Sequence, residues 1–88
     1  MPYYTYIIKS IDGTFYKGFT ENYVQRLRDH NEGRSTYTST RIPWILVYVE
    51  EHSNKRDALI REKKLKRCNS EYLNWLISQP SNILLKDK

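Results

Sequence analysis

The sequence holds a single cysteine, Cys68, so no disulfide can form within the chain and nothing covalent staples the fold. Three glycines and three prolines are too few for a low-complexity or collagen-like segment. No apolar run approaches the roughly 18 residues that a membrane-crossing helix needs, so no membrane partner is expected. The opening MPYYTYIIKS lacks a basic stretch followed by a long apolar one. No secretory signal is therefore expected, and a reducing cytoplasm is the expected location. One cysteine and two histidines cannot supply a zinc-type ligand set. Neither GxGxxG nor GxxxxGK followed by Ser or Thr is present, which removes the phosphate-cradling loops of nucleotide-binding folds.

What is present suits one small folded domain. The 88 residues are 39% apolar and 28% charged, and eight tyrosines outnumber the two Trp and two Phe together. The net charge is +5, and its placement says more than its size. Between Lys55 and Arg67, seven basic residues (Lys55, Arg56, Arg61, Lys63, Lys64, Lys66 and Arg67) outweigh Asp57 and Glu62. A localised basic stripe suits a phosphate-bearing partner as well as a solvated helix face.

Tyr3 to Lys9 and Thr14 to Thr20 are rich in aromatic and β-branched residues and read as strands. Asp12-Gly13 between them accepts the positive φ angles of a tight turn, so the two strands should pair antiparallel. Asn22 is a good N-cap for a helix from Tyr23 to about Glu32, Gln25 can complete a capping box, and Gly33 stops the helix. Tyr23, Val24, Leu27 and Asn31 share one face of it, with Arg26 and His30 along the edge. Residues 33–42 are polar and read as a loop. Pro43 opens a third strand, Trp44 to Glu50, whose nearly continuous apolar run suggests burial on both faces. Ser53 can cap a second helix running to about Arg67, and a third helix spans roughly Ser70 to Ser78 before Pro80. The order ββαβαα predicts an α+β fold, a three-stranded antiparallel-type sheet flanked by helices. The domain should occupy residues 1–79, with 80–88 a partly frayed C-terminal tail.

In the second helix Ala58, Leu59 and Leu65 form one apolar stripe at 100° per residue, and Glu62 falls in its middle. A carboxylate turned inward needs a cation beside it, because its unpaired burial costs several kcal/mol in practice. That cation can be a neighbouring Arg or a bound metal. Tyr6 and Tyr16 lie on neighbouring strands, and Arg26 and His30 on the helix that follows. A phenol, a guanidinium and an imidazole beside a carboxylate form a plausible phosphodiester-cleaving set. His52, between strand and helix, is expected to be solvated.

The fragments YTYII, DGTFYKGFT, ENYVQRLRDHNEG, WILVYVEE and RDALIREKKLK, in that order, resemble the GIY-YIG nuclease superfamily. The resemblance is to its small stand-alone members, which are similar to the N-terminal cutting domain of the bacterial excision-repair incision subunit and to structure-specific endonucleases. It covers roughly residues 3–78. It implies a metal-dependent endonuclease that hydrolyses phosphodiester bonds of nucleic acid, with DNA the expected partner and Mg²⁺ or Mn²⁺ the cofactor. Position by position, Tyr6 and Tyr16 match the two motif tyrosines, Gly18 the motif glycine, and Arg26 the phosphate-binding arginine. His30 matches a histidine found in many members, and Glu62 the metal ligand. Lys17, Arg34, Arg41, Lys63, Lys64, Lys66 and Arg67 would track the flanking backbone. The sequence departs from the pattern at Tyr4-Thr5-Tyr6, which lacks the first motif's Gly, and at Lys17, which replaces Ile. The late asparagine has Asn74 as its nearest candidate and Asn69 as a second. The rival readings are a non-catalytic nucleic-acid-binding module with the same fold, and an interaction domain whose partner protein supplies specificity.

Overall fold

Residues Tyr3–Ser10 turn successive side chains to opposite faces and form β1, in which Thr5, Tyr6, Ile7 and Ile8 are all buried. In the computed structural model, which describes residues 2–86, β1 is the middle of a three-stranded antiparallel sheet ordered β2-β1-β3. β2 (Phe15–Thr20) folds back through the Asp12-Gly13 turn, where Gly13 takes φ +90°. β3 (Trp44–His52) runs along the other side of β1 with a bulge: Ile7 pairs with Tyr48 and Ile8 with Leu46, so Val47 is the extra residue. With α1 (Tyr23–Asn31), α2 (Lys55–Leu65) and α3 (Ser70–Ile77), the order is the expected ββαβαα of an α+β fold.

The period of two along β1 divides the core. Tyr6 and Ile8 join Trp44 and Val49 on one face, where Tyr23 and Leu27 of α1 pack with Ile83 and Leu84. Ile7 joins Tyr48, Leu65, Leu73 and Leu76 on the other, beneath α2 and α3. Full burial of Ile7 and Ile8 stabilises the sheet by roughly 1.5–3 kcal/mol each. The central β1 is buried on both faces, and so is much of β3, where Tyr48 enters one layer and Trp44 and Val49 the other. β3 lies at an edge, and its Ile45 is largely exposed.

Two asparagine amides stand in for the missing neighbour of β3. Asn31 accepts from the Trp44 N–H at 2.7 Å and donates to its carbonyl at 3.0 Å. Asn82 accepts from the Val49 N–H at 3.2 Å and donates to the carbonyls of Val47 and Ile77 at 2.9 Å each. Each side chain satisfies backbone groups that would otherwise leave the edge open to another strand. Part of the segment expected to fray is therefore docked, with Asn82, Ile83 and Leu84 packed on the sheet and Leu85 and Lys86 exposed. Asn82 is buried, and Ile83–Leu85 form a 3₁₀ turn against the sheet. Residues 87–88 of the expected tail lie outside the described residues.

The helix boundaries follow their caps. Asn22 accepts from the Gln25 N–H at 3.1 Å, but the Gln25 side chain donates to Asp29 at 3.0 Å and leaves the capping box half made. Gly33, at φ +78°, and Arg34 donate back to His30 and Asp29 and close α1. Asn54 caps α2, not Ser53, and the helix ends at Leu65, short of the expected Arg67. Asn69 caps α3. The inward face of α1 also differs from the expected one: Val24 is exposed, whereas His30, expected at the edge, is wholly buried. Among the described residues no helix is long and apolar enough to cross a membrane.

Candidate active site

The pairing of β1 with β2 sets Tyr6 opposite Gly18 and Ile8 opposite Tyr16. Tyr6 and Tyr16 therefore emerge on the α1 face, with ring centroids 6.4 Å apart. Gly18 is required by this arrangement, since a Cβ there would sit 2.6 Å from the Tyr6 hydroxyl oxygen. One turn of helix separates Arg26 from His30, which brings both toward the same two rings. The His30 ring lies 5.0 Å from Tyr16 and 5.9 Å from Tyr6.

A directed chain of hydrogen bonds runs through His30. Its Nε2 lies 2.8 Å from the Tyr6 hydroxyl and its Nδ1 lies 2.7 Å from the Thr38 hydroxyl. Thr38 in turn donates to the Ser35 carbonyl at 3.4 Å. This direction assigns the Nδ1–H tautomer: Nδ1–H donates to Thr38, and Tyr6 donates to Nε2. Burial, and then the positive charge of Arg26, lower the His30 pKa from 6.5 to about 4, so the ring is neutral at pH 7. Burial also pushes the Tyr6 hydroxyl up to about 12, against the adjacent Arg26 guanidinium, which lowers it. Tyr16 and Glu62 add smaller upward pushes. Burial works against the charge on Arg26, but Tyr6, Tyr16 and Asp29 outweigh it and raise the arginine above its ordinary value.

The structure thus brings together Tyr6, Tyr16, Arg26 and His30. Glu62 belongs to the opposite layer yet stands near enough to act on Tyr6 electrostatically. Its side chain is only 13% exposed, as its place in the apolar stripe requires. The arginine partner weighed for it is not found. Its nearest cation is Lys66, at 3.7 Å. Among the described residues no three His, Cys, Asp or Glu side chains converge as metal ligands. A lone carboxylate suits a hard cation that shares its coordination with a phosphate and water.

A cleft of about 360 Å³ opens beside this cluster, lined by Phe15, Tyr16, Lys17, Tyr37 and Lys66. Three consecutive residues of β2 alternate faces, so the cleft runs along the strand's outer edge. The remaining cations are dispersed. Arg34 pairs with Glu32 at 3.0 Å, and Arg41 with Asp12 at 2.8 Å. Lys63 lines a separate cleft with Lys55, Arg56, Leu59 and Ile60, while Lys64 and Arg67 are exposed. Arg61 turns inward and donates to Glu50 at 3.2 Å, beside the Tyr48 hydroxyl on that same carboxylate. The expected basic stripe is therefore not one face. His52, expected in solvent, has only 12% of its side chain exposed and sits 3.5 Å from Glu50. Of the two asparagine candidates, Asn69 is spent on capping and Asn74 is exposed.

Sequence reasoning missed Thr38 and Tyr37. Thr38 lies in a run of hydroxyl residues read as loop, yet it is fully buried and its carbonyl also accepts from the Trp44 indole N–H at 2.9 Å. Nothing in TYTST distinguishes it. Tyr37 did carry a signal, as the one aromatic in a polar stretch.

An α+β domain with two strand tyrosines over a helical arginine and histidine defines a class of small site-bearing domains. Comparison with known proteins gives the class its name: a model of the GIY-YIG catalytic domain matches residues 2–74, and the chain belongs to the GIY-YIG family. At the level of individual proteins it is similar to UPF0213 proteins. It is 34% identical to one from Streptococcus agalactiae serotype V over 83 residues, 93% of this chain and 94% of that one. It is 42% identical to one from Bacillus licheniformis over 73 residues, 78% of this chain and 75% of the other. A solution NMR structure of a UPF0213 protein from Bacillus halodurans superposes with a TM-score of 0.59 at 29% identity, covering 92% of this chain and 87% of that one.

Proposed function

We propose that the chain is a divalent-metal-dependent endonuclease that hydrolyses phosphodiester bonds of nucleic acid, DNA first. The observation that carries this reading is the directed chain from Tyr6 through His30 to Thr38, set beside Arg26 in a family of catalytic domains. With its hydroxyl raised to about 12, Tyr6 does not ionise beforehand, so it acts as a relay. A water attacking the phosphorus gives its proton to the Tyr6 oxygen as the Tyr6 proton passes to His30 Nε2. The imidazolium so formed keeps Nδ1–H on Thr38. In the free protein Arg26 opposes that second positive charge. Pairing of the guanidinium with the scissile phosphate offsets the opposition, so substrate binding itself makes His30 a better base. Tyr16 positions the water, and Arg26 also offsets charge developing on the phosphoryl oxygens.

Glu62 would hold Mg²⁺ or Mn²⁺ together with the substrate phosphate, and the ion would supply Lewis-acid stabilisation of the leaving oxygen. Lys66, 3.7 Å from the carboxylate, links it to the cleft that this lysine lines. Lys17 and Lys66 are the cations best placed to meet the neighbouring phosphates. Lys63, Lys64, Arg67, Arg34 and Arg41 would engage more distant ones by releasing the acidic partners some of them now hold.

The test is a nicking assay on branched, flapped, single-stranded and duplex DNA with Mg²⁺ or Mn²⁺, beside Glu62→Ala and an EDTA control. The parent should cut, and both Glu62→Ala and EDTA should abolish cutting. Salt-sensitive binding without cleavage would sink the nuclease reading and leave a binding module.

A further inference from the structure

Tyr37 is 66% exposed, more than either of the other exposed aromatics, Tyr72 at 39% and Trp75 at 54%. A ring left this open contributes little to the core. Yet it is held in place. Its neighbour Thr38 is buried, anchored through its hydroxyl to His30 and through its carbonyl to Trp44. The ring leans on Tyr16, with centroids 5.7 Å apart and planes at 39°. Tyr37 thus lines the same cleft as Tyr16, together with Phe15 and the two cations Lys17 and Lys66. Aromatic faces between ammonium groups match a nucleotide strand whose bases are free to leave the stack: rings take bases and lysines take phosphates. A paired base inside a duplex cannot offer its face to such a platform without first being unstacked.

We infer that Tyr37 is a base-stacking residue that makes the cleft select an unpaired nucleotide next to the bond cut. The inference rests on the reading of the cleft as a nuclease site and adds the substrate class, single-stranded or locally unpaired nucleic acid. Lys66, tied to Glu62, couples the two: the phosphate beside the stacked base meets the lysine that borders the carboxylate.

The test separates binding from turnover. Fluorescence anisotropy in EDTA measures the parent, Tyr37→Ala and Tyr37→Phe on a labelled single strand, on its duplex, and on single strands with one abasic position moved along the sequence. The parent should prefer the single strand, and one abasic position should weaken its binding by roughly 10-fold or more. Tyr37→Phe should retain both properties. Tyr37→Ala should lower the single-strand to duplex affinity ratio by about 10-fold and become indifferent to the abasic position. Equal losses on single strand and duplex, no loss on either, or an abasic scan with no sensitive position in the parent would overturn the inference. Because this arm needs neither metal nor cleavage, it decides on Tyr37 separately from the Mg²⁺ cutting assay that decides on the nuclease.

Discussion

Thr38→Val keeps the shape of the side chain and removes its hydroxyl, the sole acceptor for the buried Nδ1–H of His30 at 2.7 Å. A buried donor left without a partner costs about 1–3 kcal/mol. The ring can respond by moving its proton to Nε2, but Tyr6 must then accept where it now donates, and its own hydroxyl hydrogen loses its partner. Either way one buried polar group is stranded, and the extra methyl of Val offsets only part of the loss. We expect a net destabilisation of about 2 kcal/mol, which for a domain of this size lowers Tm by roughly 10 °C. Calorimetry at pH 7 reads the stability, and ¹⁵N imidazole chemical shifts read the tautomer. Thr38→Ser, which retains the hydroxyl, should keep the parent tautomer even where it loses stability through its missing methyl. A Thr38→Val chain with unchanged Tm and an unchanged His30 tautomer would refute the directed chain, and with it the relay proposed for catalysis.

Further expectations follow from the same geometry. Gly18→Ala places a methyl 2.6 Å from the Tyr6 hydroxyl oxygen, so the ring must shift; a loss of about 1–3 kcal/mol and a weakened Tyr6–His30 contact in NMR spectra are expected, and parent-like spectra would count against the close approach. Asn82→Ala removes the amide that holds Val47, Val49, Ile77 and, at 3.1 Å, the Leu84 N–H; a loss of about 2–4 kcal/mol and faster amide exchange at Val49 should follow, whereas a change under about 0.5 kcal/mol would show the C-terminal segment to be incidental. His30 makes stability depend on pH. Its folded pKa of about 4 lies below the ordinary 6.5, so the unfolded chain binds the extra proton and the stabilisation, full above pH 6.5, is lost as pH falls through 4. The amount is at most about 3 kcal/mol and nearer 2 after solvent screening. Urea unfolding at pH 7 and pH 4, for the parent and His30→Gln, isolates it: the variant should lack this part of the acid slope.

Much of the architecture was legible locally. Asp12-Gly13 sets the hairpin because its backbone tolerates positive φ, and Asn22 and Gly33 bracket α1 because each satisfies helix-end groups at short range. The inward place of Glu62 follows from a 3.6-residue period alone, and its 13% exposure agrees. Spacing with a family resemblance also singled out Tyr6, Tyr16, Arg26 and His30, the four side chains that the fold gathers. What the sequence could not determine depends on which layers meet. Periodicity shows that a strand is apolar but not where it lies in the sheet, so it could not show that β1 is central while β3, buried at Trp44, Tyr48 and Val49, leaves Ile45 exposed at an edge. A run of charge cannot show that Arg61 turns to Glu50 while Lys66 turns to Glu62, because each choice is made by a neighbour distant in sequence or in the next helical turn. Thr38 and Asn82, polar residues without pattern, become structural only when a buried imidazole and an open strand edge are brought to them. Local propensity and period fixed the elements and nominated the reactive side chains. Apart from Glu62, tertiary packing decided which polar side chains leave water, and therefore which of them must pair and in which direction the protons point.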